Sequence, residues 1–237
     1  MPSQSATLTR KPAPSAAPAS GRVWLNVASS TYVIDHFINL DNHIVFQLLP
    51  FYPILHPFLS PPKRAWFQEF KSAKARATLV RNDCRKRLPF AAESVDHIVC
   101  SHFLEHVYPD EAMLILQDFR RVLKPGGTLH VVVPSLDDLI DSYRLAASSD
   151  PDAADRLLDA SILSHMTRPS LRSRTLEFLG FEGMKHRWMY TRRSMSTRLE
   201  SLGFRLLSEN TTPSAHIRAN DGPSSLHLVA EKADPRG

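Results

Sequence analysis

Histidines and carboxylates at a few positions in this chain have the types and spacing to do chemistry. His102-Phe103-Leu104-Glu105-His106 reads H-x-x-E-H. On one helix that spacing sets two imidazoles a turn apart on the same face, as a hydrolytic zinc requires, with Glu177 or Glu182 as a third ligand. Pro109 stops such a helix after little more than two turns, so the zinc-hydrolase reading is the weaker one and no metal is assigned. His186 and Tyr190, in the run HRWMY, form a second group. An imidazole titrating near neutrality is the ordinary base for removing a proton from a hydroxyl or amine. A third group joins short side chains and acids: Ala28-Ser29-Ser30, Asp41, Asp83-Cys84 and Ser101.

Each member of the third group stands at the end of a short β-rich run. These runs are residues 22–28 (RVWLNVA), 36–41 (HFINLD), 77–81 (ATLVR) and 95–100 (VDHIVC). Residues 109–123 have helical periodicity, with Met113, Leu116, Phe119, Val122 and Leu123 near one face. Asp110 is the expected cap, and Lys124-Pro125-Gly126-Gly127 the expected stop. Residues 128–133 (TLHVVV) then form a nearly continuous apolar strand, as a central parallel strand should. Helices are also expected over 65–74, 136–147, 152–165 and 192–202, and late strands over 204–208 and 225–231. The alternation implies an α/β fold, a doubly wound and mostly parallel sheet, with the last two strands as an antiparallel edge. In such a sheet, ligands bind beyond the carboxyl ends of the strands, where the third group falls. Only Thr31 to Asp35 separate the first turn from the second run. A parallel crossover normally takes a dozen or more residues, so the first helix is expected to be one turn or absent.

Residues 83–134 read DCRKRLPFAAESVDHIVCSHFLEHV, then a helix, then RRVLKPGGTLHVVVP; residues 186–204 read HRWMYTRRSMSTRLESLGF. The LPF turn, the S-V-D strand start, the L-E-H after that strand and the R-V-L-K-P-G-G turn resemble class I S-adenosylmethionine-dependent methyltransferases, and specifically the methyltransferase type 11 group. The resemblance spans most of residues 22–231. It implies a Rossmann-like fold, S-adenosylmethionine as cofactor, and methyl transfer to a small-molecule or glycan-like acceptor. It places the cofactor along Ala28, Ser29, Ser30, Asp41, Asp83, Cys84 and Ser101. Asp41 would accept from the ribose hydroxyls, Asp83 from the adenine amine, and the Cys84 amide would serve a ring nitrogen. His186, then His102, are the expected catalytic bases, with His106, Trp188 and Tyr190 against the acceptor. The family keeps a Gly-rich loop where this chain has Ala28-Ser29-Ser30, because glycine lets backbone approach a ligand closely. A non-catalytic interaction module that had lost the cofactor would show the same departure.

Composition narrows the partners. The chain has 237 residues, of which 43% are hydrophobic, 8 are Gly and 18 are Pro, so it can bury a real core. The net charge of +5 is spread unevenly. Basic stretches at 63–87 and 168–205 flank an acidic middle but lack the interleaved aromatics of an RNA-binding motif, so no nucleic acid is expected. Two cysteines make neither a disulfide framework nor zinc spacing, which suits a reducing cytoplasm. Residues 1–21, rich in Pro, Ala and Ser, read as a disordered tail before a methyltransferase-like domain at 22–237. Within it, 42–64 reads as a proline-rich apolar insertion. Its core, 44–59 (IVFQLLPFYPILHPFL), is too short and too proline-broken to span a bilayer, which leaves a pocket lining or a weak membrane-surface contact.

Overall fold

The computed structural model describes residues 21–161, 185–207 and 224–233. Seven strands form one sheet in the order β3-β2-β1-β4-β5-β7-β6. They are β1 (Trp24–Val27), β2 (Ile38–Asp41), β3 (Leu79–Arg81), β4 (Val95–Ser101), β5 (Leu123–Pro134), β6 (Phe204–Leu206) and β7 (Ser225–Lys232). The first five pair in parallel, while β7 runs antiparallel to both β5 and β6. The chain moves outward from β1 through β2 to β3, then restarts at β4 on the other side of β1. That reversal places a ligand crevice at the tips of β1 and β4.

Alternation along the strands gives the sheet two unlike faces. Leu25, Val27, Ile38, Leu40, Ile98, Cys100, Leu129, Val131 and Leu228 lie in the main core. They pack with Ile115, Leu116 and Phe119 of α4 (Pro109–Val122) and with Met195 and Leu199 of α7 (Arg192–Ser201). The intervening residues include Asn26, Asn39, His97 and His130. His130 is 1% exposed, and burial beside His227 and His97 pushes its pKa down to about 3.

The polar face explains how β1 reaches β2 without a helix. Asn26 and Asn39 lie opposite each other in the β1–β2 register. The Asn26 Nδ2 donates to Asn39 Oδ1 at 2.9 Å and to the Tyr32 carbonyl at 2.8 Å. Asn39 accepts from the Ile34 amide at 2.9 Å and donates to the Ile34 and Phe37 carbonyls at 3.2 and 3.1 Å. Two buried amides thus satisfy the backbone of a short crossover that has no helical ladder of its own.

Residues 44–76 fold as α1 (Ile44–Leu48), α2 (Tyr52–Leu55) and α3 (Pro61–Arg76), with single 3-10 turns at Leu49–Phe51 and His56–Phe58. Prolines 50, 53, 57, 61 and 62 sit in the first turns of these pieces, where a missing N–H costs nothing. The apolar stretch packs on Phe67 and Phe70 as a core separate from that of the sheet. Phe51, Ile54 and Phe58 remain exposed at 56, 70 and 86%.

Two local expectations are corrected. The cap of α4 is Tyr108, not Asp110: Pro109 takes the first helical position, and the Glu111 carboxylate accepts from the Tyr108 amide at 3.0 Å. The Lys124-Pro125-Gly126-Gly127 turn belongs to β5 itself, as an irregularity where pairing with β4 shifts between Val95 and His97. Gly126 there has φ +74, and a Cβ on Gly127 would sit 2.9 Å from the Lys124 carbonyl oxygen. The remaining expected elements, among them α5 (Leu136–Ala146), stand with ends moved by a few residues; the end of the helix expected at 152–165 lies outside the described residues, beyond α6 (Ala153–Ser161).

Candidate active site at the strand tips

The turn after β1 has the backbone of a glycine loop without its glycines. Ala28 and Ser30 adopt φ values of 56 and 48, in the left-handed region that costs an L-residue about 1–2 kcal/mol. What holds the turn is Asp41 at the end of β2. Its Oδ2 accepts from the Ser30 amide at 2.7 Å, and its Oδ1 from the His43 amide at 2.6 Å. Burial raises the Asp41 pKa, against those backbone hydrogen bonds and the nearby His43. Each oxygen keeps a second lone pair for another donor.

The third tip closes on the same point. The Asn82 amide donates to the Asp41 carbonyl at 3.0 Å, and the buried Cys84 thiol reaches the Leu40 carbonyl at 3.7 Å. Burial pushes Cys84 up to about 12, so it is an inert thiol and only its backbone is available to a ligand. Burial opposes ionisation of Asp83, yet its hydrogen bonds to Arg85, at 3.0 and 3.2 Å, hold its carboxyl below the usual range. Arg121 fixes this loop from behind, donating to Asp118, to the Phe90 carbonyl and to the Leu88 carbonyl at 2.6, 2.8 and 3.1 Å.

Two buried polar atoms at these tips find no partner among the described residues: Ser29 Oγ and Asn82 Nδ2. Native proteins rarely leave such groups unmatched. Together with Asp41 they suit a ligand rich in hydroxyl and amine groups, so the residues present fit a nucleoside cofactor. Asn82 was not among the site residues expected from sequence; its place directly before Asp83 at a strand tip is the signal that could have found it. Beside Thr31 and Tyr32 an open cleft of about 730 Å³ runs along Ala65, Gln68, Ser72 and Arg76 of α3.

Beyond β4 the histidines meet. Ser101 ends the strand and pairs in register with Val132. His102 follows at φ +51, outside any helix, and Leu104–His106 make a single 3-10 turn. The helical H-x-x-E-H geometry is therefore absent, and Glu177 and Glu182 lie outside the described residues. Instead, residues 185–190 dock on this turn. The Arg187 and Trp188 amides donate to the Glu105 carbonyl at 2.6 and 3.1 Å, and the Tyr190 hydroxyl to the Leu104 carbonyl at 3.4 Å. The His106 and His186 rings lie 5.1 Å apart. Burial lowers the His186 pKa, keeping its ring neutral near pH 7. Tyr190 is fully buried, and burial pushes its phenol up to about 12, so it anchors the segment within the core. Trp188 is 43% exposed and free to meet an acceptor. Glu105, fully buried at the centre of this group, was singled out in the zinc motif and in the L-E-H resemblance but given no site role of its own.

Residues 58–131 match the family model described as "Methyltransferase domain". Over that stretch the chain resembles methyltransferases. The matched stretch includes Asp83, Cys84, Ser101 and the His102–His106 turn, but not Ala28–Ser30 or Asp41. Those earlier positions rest on the strand-tip geometry above. A ubiquinone/menaquinone biosynthesis C-methyltransferase from Syntrophotalea carbinolica is 31% identical over 136 residues, which are 52% of this chain and 56% of that protein. The chain therefore aligns with little more than half the length of that relative. Among solved structures, a SAM-dependent methyltransferase from Methanosarcina mazei shares 16% identity, covering 89% of this chain and 92% of that one, with a TM-score of 0.49. A protein from Pyrococcus horikoshii OT3 shares 17%, covering 88% and 81%, with a TM-score of 0.48. At these scores the likenesses add nothing to what the strand order already shows.

Proposed function

We propose that this chain transfers the methyl group of S-adenosylmethionine to an oxygen or nitrogen of a small-molecule or glycan-like acceptor. The observation that carries the reading is the meeting of three strand tips on Asp41, whose carboxylate holds a left-handed turn at Ala28–Ser30. A sulfonium donor brings an already activated methyl group, so the protein's part is to bind, align and take up a proton. The Ser29 hydroxyl and the Ser30 backbone serve the amino-acid end of the donor. Asp41 serves the ribose, while Asp83 and the Cys84 amide serve the adenine.

For the proton, His102 is better placed than His186. The His102 side chain is 25% exposed, and its Nδ1 lies 3.1 Å from Glu105 Oε1. A carboxylate only accepts, so Nδ1 carries the hydrogen and Nε2 keeps the lone pair that can take a proton from an acceptor. Ser225 Oγ stands 3.4 Å from that Nε2. His186, expected from sequence as the first base, is 7% exposed and bound through Nδ1 to the Ser161 carbonyl at 2.7 Å, which favours a supporting role.

The relative named for quinone C-methylation supports a small organic acceptor rather than a macromolecule. The exposed strip of Phe51, Ile54 and Phe58 further supports a weak membrane-surface contact through residues 44–59, and so delivery of an apolar acceptor. No helix among the described residues is long and apolar enough to cross a membrane. Calorimetry with S-adenosylmethionine and its demethylated product tests the donor half of the proposal. Absence of binding up to about millimolar, a regime worth roughly 4 kcal/mol, would instead leave an interaction module on a methyltransferase fold. Transfer of radiolabelled methyl to small phenolic, amine and sugar acceptors tests the other half.

A further inference from the structure

Glu105, His106 and His186 each place one potential ligand atom within 4.8 Å of the others. Their hydrogen-bond partners show what this cluster lacks. His186 Nδ1 lies 2.7 Å from the Ser161 carbonyl oxygen, and His106 Nδ1 lies 3.3 Å from that of Lys185. A carbonyl only accepts, so both Nδ1 atoms carry hydrogen, and ligation by either ring falls to Nε2. Between them Glu105 is fully buried. Its Oε1 accepts from His102 and stands 3.9 Å from His106 Nε2, too far for a hydrogen bond, while Oε2 has no partner among the described residues. Two imidazoles and a buried carboxylate thus converge, and no donor to Glu105 Oε2 stands among the described residues.

We propose that Glu105, His106 and His186 bind a divalent first-row transition ion of the zinc type. Two imidazoles and a carboxylate are an established donor set for such ions, and an Nδ1 hydrogen fixed by a backbone carbonyl is the usual support for an imidazole ligating through Nε2. Ligands at about 2.0–2.2 Å in a tetrahedron stand roughly 3.3–3.6 Å apart, so closing the site asks only small side-chain movements. This site differs from the helical H-x-x-E-H arrangement in its ligands, because His102 bonds to the carboxylate and His186 arrives from a segment about 80 residues later. Three protein donors leave a position for water or for an acceptor heteroatom. That last use rests on the methyl-transfer reading; the ion itself does not.

The test uses the full chain stripped with chelator. Zinc chloride is titrated by calorimetry, and cobalt(II) by visible absorption, where a tetrahedral nitrogen–oxygen site gives intense bands. One ion per chain is expected, with Kd below about 1 µM, and His106→Ala is expected to weaken it at least 100-fold, about 2.7 kcal/mol. His106 is partly exposed, so this variant should keep its fold, which circular dichroism checks; Glu105→Gln gives a near-isosteric second variant. His36→Asn, which removes an exposed imidazole far along the chain, should leave binding unchanged. The absence of any site tighter than about 100 µM in the unaltered chain overturns the proposal, and so does unchanged affinity in a folded His106→Ala. Titration with S-adenosylmethionine in parallel separates the two readings, because a chain that binds zinc but no cofactor defeats only the methyl-transfer proposal.

Discussion

Replacing Ala28 or Ser30 with glycine is expected to stabilise the protein, which is unusual for a change to glycine. Both residues hold φ near +50, at 56 and 48. An L-residue there costs about 1–2 kcal/mol relative to the right-handed region, and glycine escapes that cost because it has no Cβ. Against this stands the greater freedom of glycine in the unfolded chain, worth about 0.4–1 kcal/mol. The difference leaves a net gain of about 0.5–1 kcal/mol for each substitution. The Ser30 amide keeps its 2.7 Å bond to Asp41 when the residue becomes glycine, so no hydrogen bond is lost. For a chain of this size, 1 kcal/mol moves Tm by about 2–4 °C. Ala28→Gly and Ser30→Gly should therefore each raise Tm by about 1–4 °C in a differential scanning melt. Affinity for S-adenosylmethionine should hold or rise, since the backbone geometry is preserved and two side chains are trimmed. A drop in Tm of a degree or more in either variant would mean that the turn is not held left-handed and that Asp41 does not impose a glycine-like backbone on it.

Asp41→Ala is expected to weaken cofactor binding at least tenfold, about 1.4 kcal/mol, measured by calorimetry; an unchanged affinity removes the ribose assignment. Arg121→Ala breaks two hydrogen bonds that tie α4 to the loop after Asp83, and a third to Asp118 within α4, and leaves two carbonyls behind, so a loss of about 2–4 kcal/mol in denaturant melts is expected. Acid should destabilise the protein through His130. Its folded pKa of about 3 lies below the ordinary 6.5, so the unfolded chain binds the extra proton first, and stability falls as pH drops from 6.5 toward 3. By pH 5 the loss from this residue is about 2 kcal/mol, and His130→Phe should flatten that part of the stability–pH curve in urea titrations. An unaltered slope in His130→Phe would assign the acid sensitivity elsewhere.

The sequence alone determined the architecture and the rough positions of the strand tips. Short β-rich runs alternating with periodic helices leave few topologies, and the right ends of those runs carried Asp41, Asp83 and Ser101. It also showed that the first crossover was too short for a helix. It could not show what replaces that helix, because Asn26 and Asn39 read as ordinary polar residues until the β1–β2 register sets them side by side. Nor did periodicity reveal that Ala28 and Ser30 keep a glycine-like backbone; the Asp41 carboxylate imposes it from a neighbouring strand. The histidines show the same division most clearly. Along the chain, His102 and His106 looked like partners through spacing, with Glu105 between them. In three dimensions a left-handed residue breaks that spacing, Glu105 becomes the buried centre, and His186 joins it across roughly 80 positions. Local propensity is written residue by residue, but the convergence of acceptors on one buried point depends on how distant segments dock, and only the packed structure decides it.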